Sequence, residues 1–316
     1  MNKKAKSIIT IIIALLIANL VALVILINVT INRDKPVFIK TETESREWTL
    51  TPDYEAAMIQ NNFWTYVNAA YVLIGSEPNY EFYKIASGVP RNNYEVDNFF
   101  VDDANNLMYY HDANATRTSR VAVDVSSYQT NVDWEAVKAA GVDMAIIRAV
   151  YRGYGTGKIV TDDMFKAHIE GALDAGLDVG VYFFTQALNY NEGVEEALYT
   201  LSLIKDYDVK GPVIIDTEDM PADGARTAEL DIDSRTDSIV AFCETVKAAG
   251  YEPMVYSNRN WFVQQLDMSR VGNYKLWLAH YSNQPNFPYL YTAWQYTSEG
   301  RLPGNNLNLD LNVWLE

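Results

Sequence analysis

From residue 121 onward, three helical stretches close on Ala-Gly, at Ala140-Gly141, Ala175-Gly176 and Ala249-Gly250, and each gives way within a few residues to an apolar run. Glycine ends a helix because it adopts the left-handed backbone that other residues resist, so this pattern punctuates βαβ units. It predicts strands over 121–127, 143–151, 178–185, 212–218 and 253–258. Helices are expected over 133–141, 165–176, 192–207 and 236–250, with a short one near 261–266. Strands over 274–281, 293–297 and 307–313 follow with little helix between them. Eight strands, with helices after the early ones only, predict an α/β fold: a modified (β/α) TIM-like barrel with a β-rich C-terminal third. A doubly wound open sheet is disfavoured, because Gly153-Tyr-Gly-Thr-Gly157 lacks the Gly-x-Gly-x-x-Gly spacing and has no helix directly after it.

The first residues obey a different rule. Lys3, Lys4 and Lys6 precede an almost unbroken apolar run over 8–29, about the 20 residues that cross a bilayer core as a helix. A secretory signal has a shorter apolar region and small residues at its cleavage site. Here the run ends in Ile-Asn-Val-Thr-Ile-Asn, so an uncleaved transmembrane anchor is expected over 8–29, with secretion after cleavage as the alternative. The lysines place a cytoplasmic tip at 1–7 and everything after residue 30 outside the membrane. Residues 30–118, rich in Asn, Asp, Glu and Tyr, read as a stalk and small pre-domain ahead of a catalytic barrel over 119–316. Within them an aromatic helix is expected over 55–73, short strands and turns over 80–110, and a solvated acidic loop over 97–103.

The chain carries 41 Asp+Glu against 25 Lys+Arg, a net charge of −16. Nucleic acid is thereby excluded as a partner, since its binding relies on Lys and Arg neutralising phosphates. The single cysteine, Cys243, sits in an amphipathic helical pattern and reads as a buried apolar residue. With three scattered histidines, His111, His168 and His280, no metal site and no cofactor are expected. Carboxylates are the abundant chemistry.

In a barrel the chemistry sits at the C-terminal ends of the strands. Pro212-Val-Ile-Ile-Asp-Thr-Glu-Asp219 ends in acids, and alternation puts Asp216 and Glu218 on one face, about 7 Å apart along the strand. Thr217 and Asp219 then point the other way, so neither is expected to matter to the chemistry. Neighbouring carboxylates raise each other's affinity for protons, so one stays protonated near neutral pH while the other stays charged. Cleavage of a glycosidic bond needs such a pair. Asp124 lies within the first apolar strand and Asp310 within the last, and a charge there is unfavourable unless paired or functional. First and last strands of a closed barrel are neighbours, which would gather all four acids at one mouth.

These residues fall in stretches that resemble the glycoside hydrolase family 25 lysozymes. The stretches are Val123-Asp-Val-Ser-Ser-Tyr-Gln129, Asp133-Trp134, Ile146-Ile-Arg-Ala149, Gly180-Val-Tyr-Phe-Phe184, Ile214-Ile-Asp-Thr-Glu218, Met254-Val-Tyr-Ser257, Leu276-Trp-Leu-Ala-His-Tyr281, Ala293-Trp-Gln-Tyr296 and Leu309-Asp-Leu-Asn312, in family order. The resemblance implies a modified barrel and an N-acetylmuramidase cutting the β-1,4 bond after N-acetylmuramic acid in bacterial peptidoglycan. It implies Glu218 as general acid/base, Asp216 as a partner orienting the substrate's 2-acetamido group or acting directly, and Asp124 and Asp310 as flanking acids. A covalent intermediate and assistance by the acetamido oxygen both stay open. Many members carry His where this chain has Phe183, which predicts altered substrate contacts.

Flat rings suit the apolar faces of sugars, so Tyr182, Trp277, Trp294 and Tyr296 are candidate groove residues, with Gln295 and Arg148 as polar contacts. His168 and His280 are expected to be structural. The expected partner is the peptidoglycan glycan strand. The alternative function is a catalytically weak, membrane-anchored peptidoglycan-binding module, against which the complete set of four acids argues. A peptidase or amidase would need a Cys/His pair or a metal site that the sequence lacks.

Overall fold

The computed structural model describes residues 62, 65, 67–76, 79–112 and 118–315. The expected cytoplasmic tip at 1–7 and membrane anchor at 8–29 lie outside the described residues. Among those described, no helix is long and apolar enough to cross a membrane. The chain divides into two units, residues 1–71 and 72–316. In the first, residues 67–70 are helical.

The aromatic helix expected over 55–73 does not reach its predicted end. Strand β1, Tyr71–Ser76, takes over and pairs with β2, Asn79–Lys84. Tyr-Val-Leu-Ile is a run with strand preference, and Gly75 beyond it turns with φ +102°, where a side chain would meet the Asn79 carbonyl. The acidic stretch over 97–103 is likewise no simple loop. Strand β3, Phe99–Asp102, forms an antiparallel hairpin with β4, Leu107–Tyr110. Phe99 packs edge-on against Tyr110 at 4.7 Å and Trp294 at 5.2 Å between ring centroids, and that apolar anchor outweighs the acids flanking it.

The barrel follows the predicted alternation. In chain order its elements are β5 (Ser119–Val125), α1 (Trp134–Ala139), β6 (Met144–Arg152), β7 (Ile159–Thr161), α2 (Phe165–Asp174), β8 (Asp178–Phe184) and α3 (Tyr190–Ile204). Then come β9 (Val213–Asp216), α4 (Ile232–Ala248), β10 (Pro253–Asn258), α5 (Arg259–Gln265), α6 (Met268–Val271), β11 (Lys275–Ala279), β12 (Ala293–Gly300) and β13 (Leu309–Leu315). Gly141, Gly176 and Gly250 all have positive φ just past their helices, which is the physical content of the Ala-Gly punctuation. Helix α4 begins four residues before its expected start because Asp231 caps it, accepting a hydrogen bond from the Ser234 amide.

Around the closed sheet the order is β5, β6, β8, β9, β10, β11, β12, β13 and back to β5. All neighbours run parallel except at β13, which is antiparallel to both β12 and β5. The short β7, absent from the predicted set, forms an antiparallel hairpin with the outer part of β6. Alternation divides the side chains. Ala122, Met144, Ile146, Ile214, Met254 and Trp277 fill the barrel interior, while Val121, Val123, Val179, Val213 and Val255 face the helices. Phe183 also faces outward, fully buried against Phe242 of α4. It makes no groove contact, so the expected consequence for substrate does not follow.

Candidate active site

The reversed direction of β13 decides where the acids meet. Asp310 lies near the start of β13, and in an antiparallel strand the start sits at the end where the other strands finish. The register pairs Asp310 with Asp124 directly. Asp124 is buried and its Oδ2 accepts hydrogen bonds from Gln295 Nε2 at 2.9 Å and Asn312 Nδ2 at 2.8 Å, while its carboxyl also bonds Asp310. Burial, then the charge of Asp310, holds Asp124 well above the usual carboxylate range. Burial pushes Asp310 up to about 6, against the opposing effect of its bond to Asp124. That bond favours the proton on Asp124 and the charge on Asp310.

Strand β9 ends at Asp216, so Glu218 is presented from the segment just after it rather than from the strand. The two carboxyls still hydrogen-bond one another. Burial and the charge of Glu218 hold Asp216 well above its ordinary value, and burial raises Glu218, against the opposing effect of its bond to Asp216 and with an addition from the charge of Asp310. The Oδ1 atom of Asp216 is buried with no hydrogen-bond partner, a costly state for an anion and a tolerable one for a carboxylic acid. One proton shared by Asp216 and Glu218 is therefore stable in this pocket.

Asp124, Asp216, Glu218 and Asp310 line one cleft of about 330 Å³ with Tyr182 and Arg148. Asp219 lines it too, because with the strand ended the alternation that pointed it away no longer applies. Thr217 is buried, with its hydroxyl accepting from Trp261 Nε1 at 3.1 Å and its carbonyl from Ser257 Oγ at 2.6 Å. Arg148 donates from Nε to Asp162 Oδ2 at 2.7 Å and from Nη2 to Ser127 Oγ at 2.8 Å.

Three of the expected groove rings sit elsewhere. Trp294 is 0% exposed and Tyr296 half-buried, both on the outer face of β12. Trp294 packs on Phe99 and donates to the His280 carbonyl at 2.8 Å, and the Tyr296 hydroxyl accepts from the Met108 amide. Inward-facing Gln295 between them forces this outward placement. Trp277 does point inward, but at 2% exposure it lies beneath the mouth, its Nε1 bonded to Asn312 Oδ1 at 2.7 Å. Gln295 is a buried relay, donating to Asp124 and accepting from Tyr256 at 2.9 Å and Tyr281 at 2.8 Å. Sequence reasoning missed Tyr256, Asn312 and Tyr281 as parts of this relay. The alternation that selected Asp310 also selects Asn312 two residues on. His168 bonds the Ser126 carbonyl through Nε2 and plays a structural part, as expected. Burial pushes the Cys243 thiol up, in keeping with an inert core residue.

The family model described as Glycosyl hydrolases family 25 matches residues 123–305, more than half of the 316 residues. Among curated relatives, the autolytic lysozyme of Clostridium acetobutylicum is 29% identical over 195 residues, 61% of this chain and 55% of that protein. Lysozyme M1 of Streptomyces globisporus is 28% identical over 200 residues, 60% of this chain and 66% of that protein. The chain thus spans between about half and two thirds of the length of these relatives. A family 25 glycosyl hydrolase from Bacillus anthracis superposes with a TM-score of 0.54 at 22% identity, covering 65% of this chain and 92% of that one. The modular autolysin LytC from Streptococcus pneumoniae gives 0.56 at 22% identity, covering 77% and 57%. These two likenesses carry the fold alone. The matched family model, over more than half of the chain, concludes the assignment: the chain belongs to glycosyl hydrolase family 25.

Proposed function

We propose that this protein is a peptidoglycan muramidase that hydrolyses the β-1,4 bond between N-acetylmuramic acid and N-acetylglucosamine by carboxylate acid/base catalysis. The observation that carries this reading is the meeting of Asp124, Asp216, Glu218 and Asp310 in one cleft at the barrel mouth. The proton that Glu218 shares with Asp216 passes through Glu218, raised by burial, to the leaving oxygen as the glycosidic bond breaks. Water then supplies hydroxide to the anomeric carbon and returns a proton to Glu218. Asp216 shares the proton of Glu218 and stands where it can orient the substrate's acetamido group. Asp124 and Asp310 add negative potential to the cleft, which favours the positive charge developing on the sugar ring. Support also comes from curated relatives named as lysozymes.

Glu218→Gln keeps size and hydrogen bonding but removes the transferable proton. Release of reducing ends from purified peptidoglycan is expected to fall by at least about 10³-fold with the thermal unfolding midpoint retained. Turnover at the wild-type rate in that variant would refute the mechanism.

In the same reading, residues 1–7 form a cytoplasmic tip, 8–29 a single membrane anchor and 30–118 a stalk and pre-domain, holding the barrel of 119–316 outside the cell. The support is the lysine cluster followed by the long apolar run. Full-length protein in washed membranes fits an anchor; a shortened chain in the medium would mean cleavage and secretion instead.

A further inference from the structure

We propose that residues 72–76 and 79–112, which the sequence assigns to a small pre-domain, are a brace of the catalytic barrel that positions Tyr281 at its mouth. The proposal rests on the muramidase reading and extends it to a part of the chain that the family model does not match.

The alternation of strand and helix has a gap. Residues 280–292, the crossover from β11 to β12, contain no helix. A helix satisfies its own backbone, whereas an extended crossover must find partners elsewhere. Residues 86–94 supply them. The Asn92 amide donates to the Pro288 carbonyl and the Leu290 amide to the Pro90 carbonyl, both at 2.9 Å, around an antiparallel bridge between Arg91 and Tyr289. Asn92 Nδ2 donates to the Phe287 carbonyl at 3.1 Å and the Tyr94 hydroxyl to the Tyr291 carbonyl at 2.9 Å. The Tyr289 hydroxyl accepts from the Ala86 amide at 2.9 Å. Packing follows the same seam. Phe287, Tyr289 and Tyr291 are buried, and Ile85, Val89 and Leu107 share one apolar core with Leu276 and Leu278 of β11. Val89 lies so close to Gly272 that no side chain fits there. A continuous apolar core marks one folding unit, since tethered domains meet through more polar surfaces.

The crossover carries this hold to the site. Its first residues form a turn in which the Ser282 amide donates to the His280 carbonyl at 3.0 Å and Ser282 Oγ to the Gln284 carbonyl at 2.6 Å. That turn ties Tyr281 to the braced chain after it. Arg259, which follows the mouth end of β10, joins the two sides, donating from Nη2 to the Leu73 carbonyl at 2.9 Å and from Nε to the Asn286 carbonyl. Tyr281 is 58% exposed, so burial does little to place its ring. Its hydroxyl donates to Gln295 Oε1 at 2.8 Å, and Ser298 is its other partner. With the phenols of Tyr256 and Tyr281 on its amide oxygen, Gln295 must present its NH2 group to Asp124. The brace thus acts on Asp124 through the crossover, Tyr281 and Gln295.

Two measurements on the full chain in mild detergent test this. In the first, a recognition site for a sequence-specific protease replaces residues 113–117, and the cut protein is captured through a tag at its N-terminus. The barrel half is expected to stay bound through native washes. A barrel half that washes off would overturn the proposal. In the second, Asn92→Ala and Tyr281→Phe are each expected to lower kcat per folded molecule roughly fivefold with KM within about twofold. The double variant is expected to lose no more than about twofold beyond the larger single loss, because both changes act along one line of contacts. Wild-type kcat in either single variant, or losses that multiply in the double variant, would overturn the proposal. Failure of the muramidase reading shows separately, as absent turnover by the uncut wild-type chain, and the capture result reads the brace without turnover.

Discussion

Asp310 sits opposite Asp124 and its negative charge strengthens the hold of Glu218 on its proton. Replacing it by Asn removes that charge while keeping the shape. Glu218 then releases its proton at lower pH, because a carboxyl whose affinity was raised by a neighbouring anion loses the increment when the anion goes. The alkaline limb of the kcat/KM profile of Asp310→Asn is therefore expected to move acidward. An unmoved or alkaline-shifted limb would show that the charge of Asp310 does not act on the catalytic acid. The residue types at this site were legible in the chain, since acids within or directly after apolar strands demand an explanation. Their protonation was not, because it depends on burial and on which carboxyl bonds which.

At the scale of elements, β12 shows how alternation can be applied correctly to one residue and overlooked for its neighbours. Gln295 was expected at the site and is there, bonded to Asp124. Once Gln295 faces inward, Trp294 and Tyr296 must face out, where β3 and β4 cover them. Trp294→Ala is accordingly expected to cost about 3–5 kcal/mol of stability, the range for removing a large buried aromatic, while activity per folded molecule at low temperature stays within about threefold of wild type. Denaturant unfolding combined with active-site titration checks both. A large loss of affinity for glycan at unchanged stability would restore Trp294 to the groove. Strand β9 carries the converse lesson. Its end at Asp216 removes the rule that set Thr217 and Asp219 aside, since alternation holds only while the ladder continues.

At the scale of the molecule, the sequence by itself determined the α/β class, the count of barrel strands and the order of the main barrel helices between them. Those depend on local periodicity and on glycines with positive φ. It also marked Asp124, Asp216, Glu218 and Asp310, because charge inside or directly after an apolar run is visible locally. Only the tertiary structure decided that β13 runs against its neighbours and so brings the start of one strand to the mouth formed by the ends of the others. Strand direction is set by how the chain closes the sheet, and no residue near Asp310 encodes it. The same holds for the aromatics. Which rings meet solvent at the cleft and which are buried under the β3 and β4 hairpin follows from segments nearly 200 residues apart in sequence packing together, as Phe99 does on Trp294.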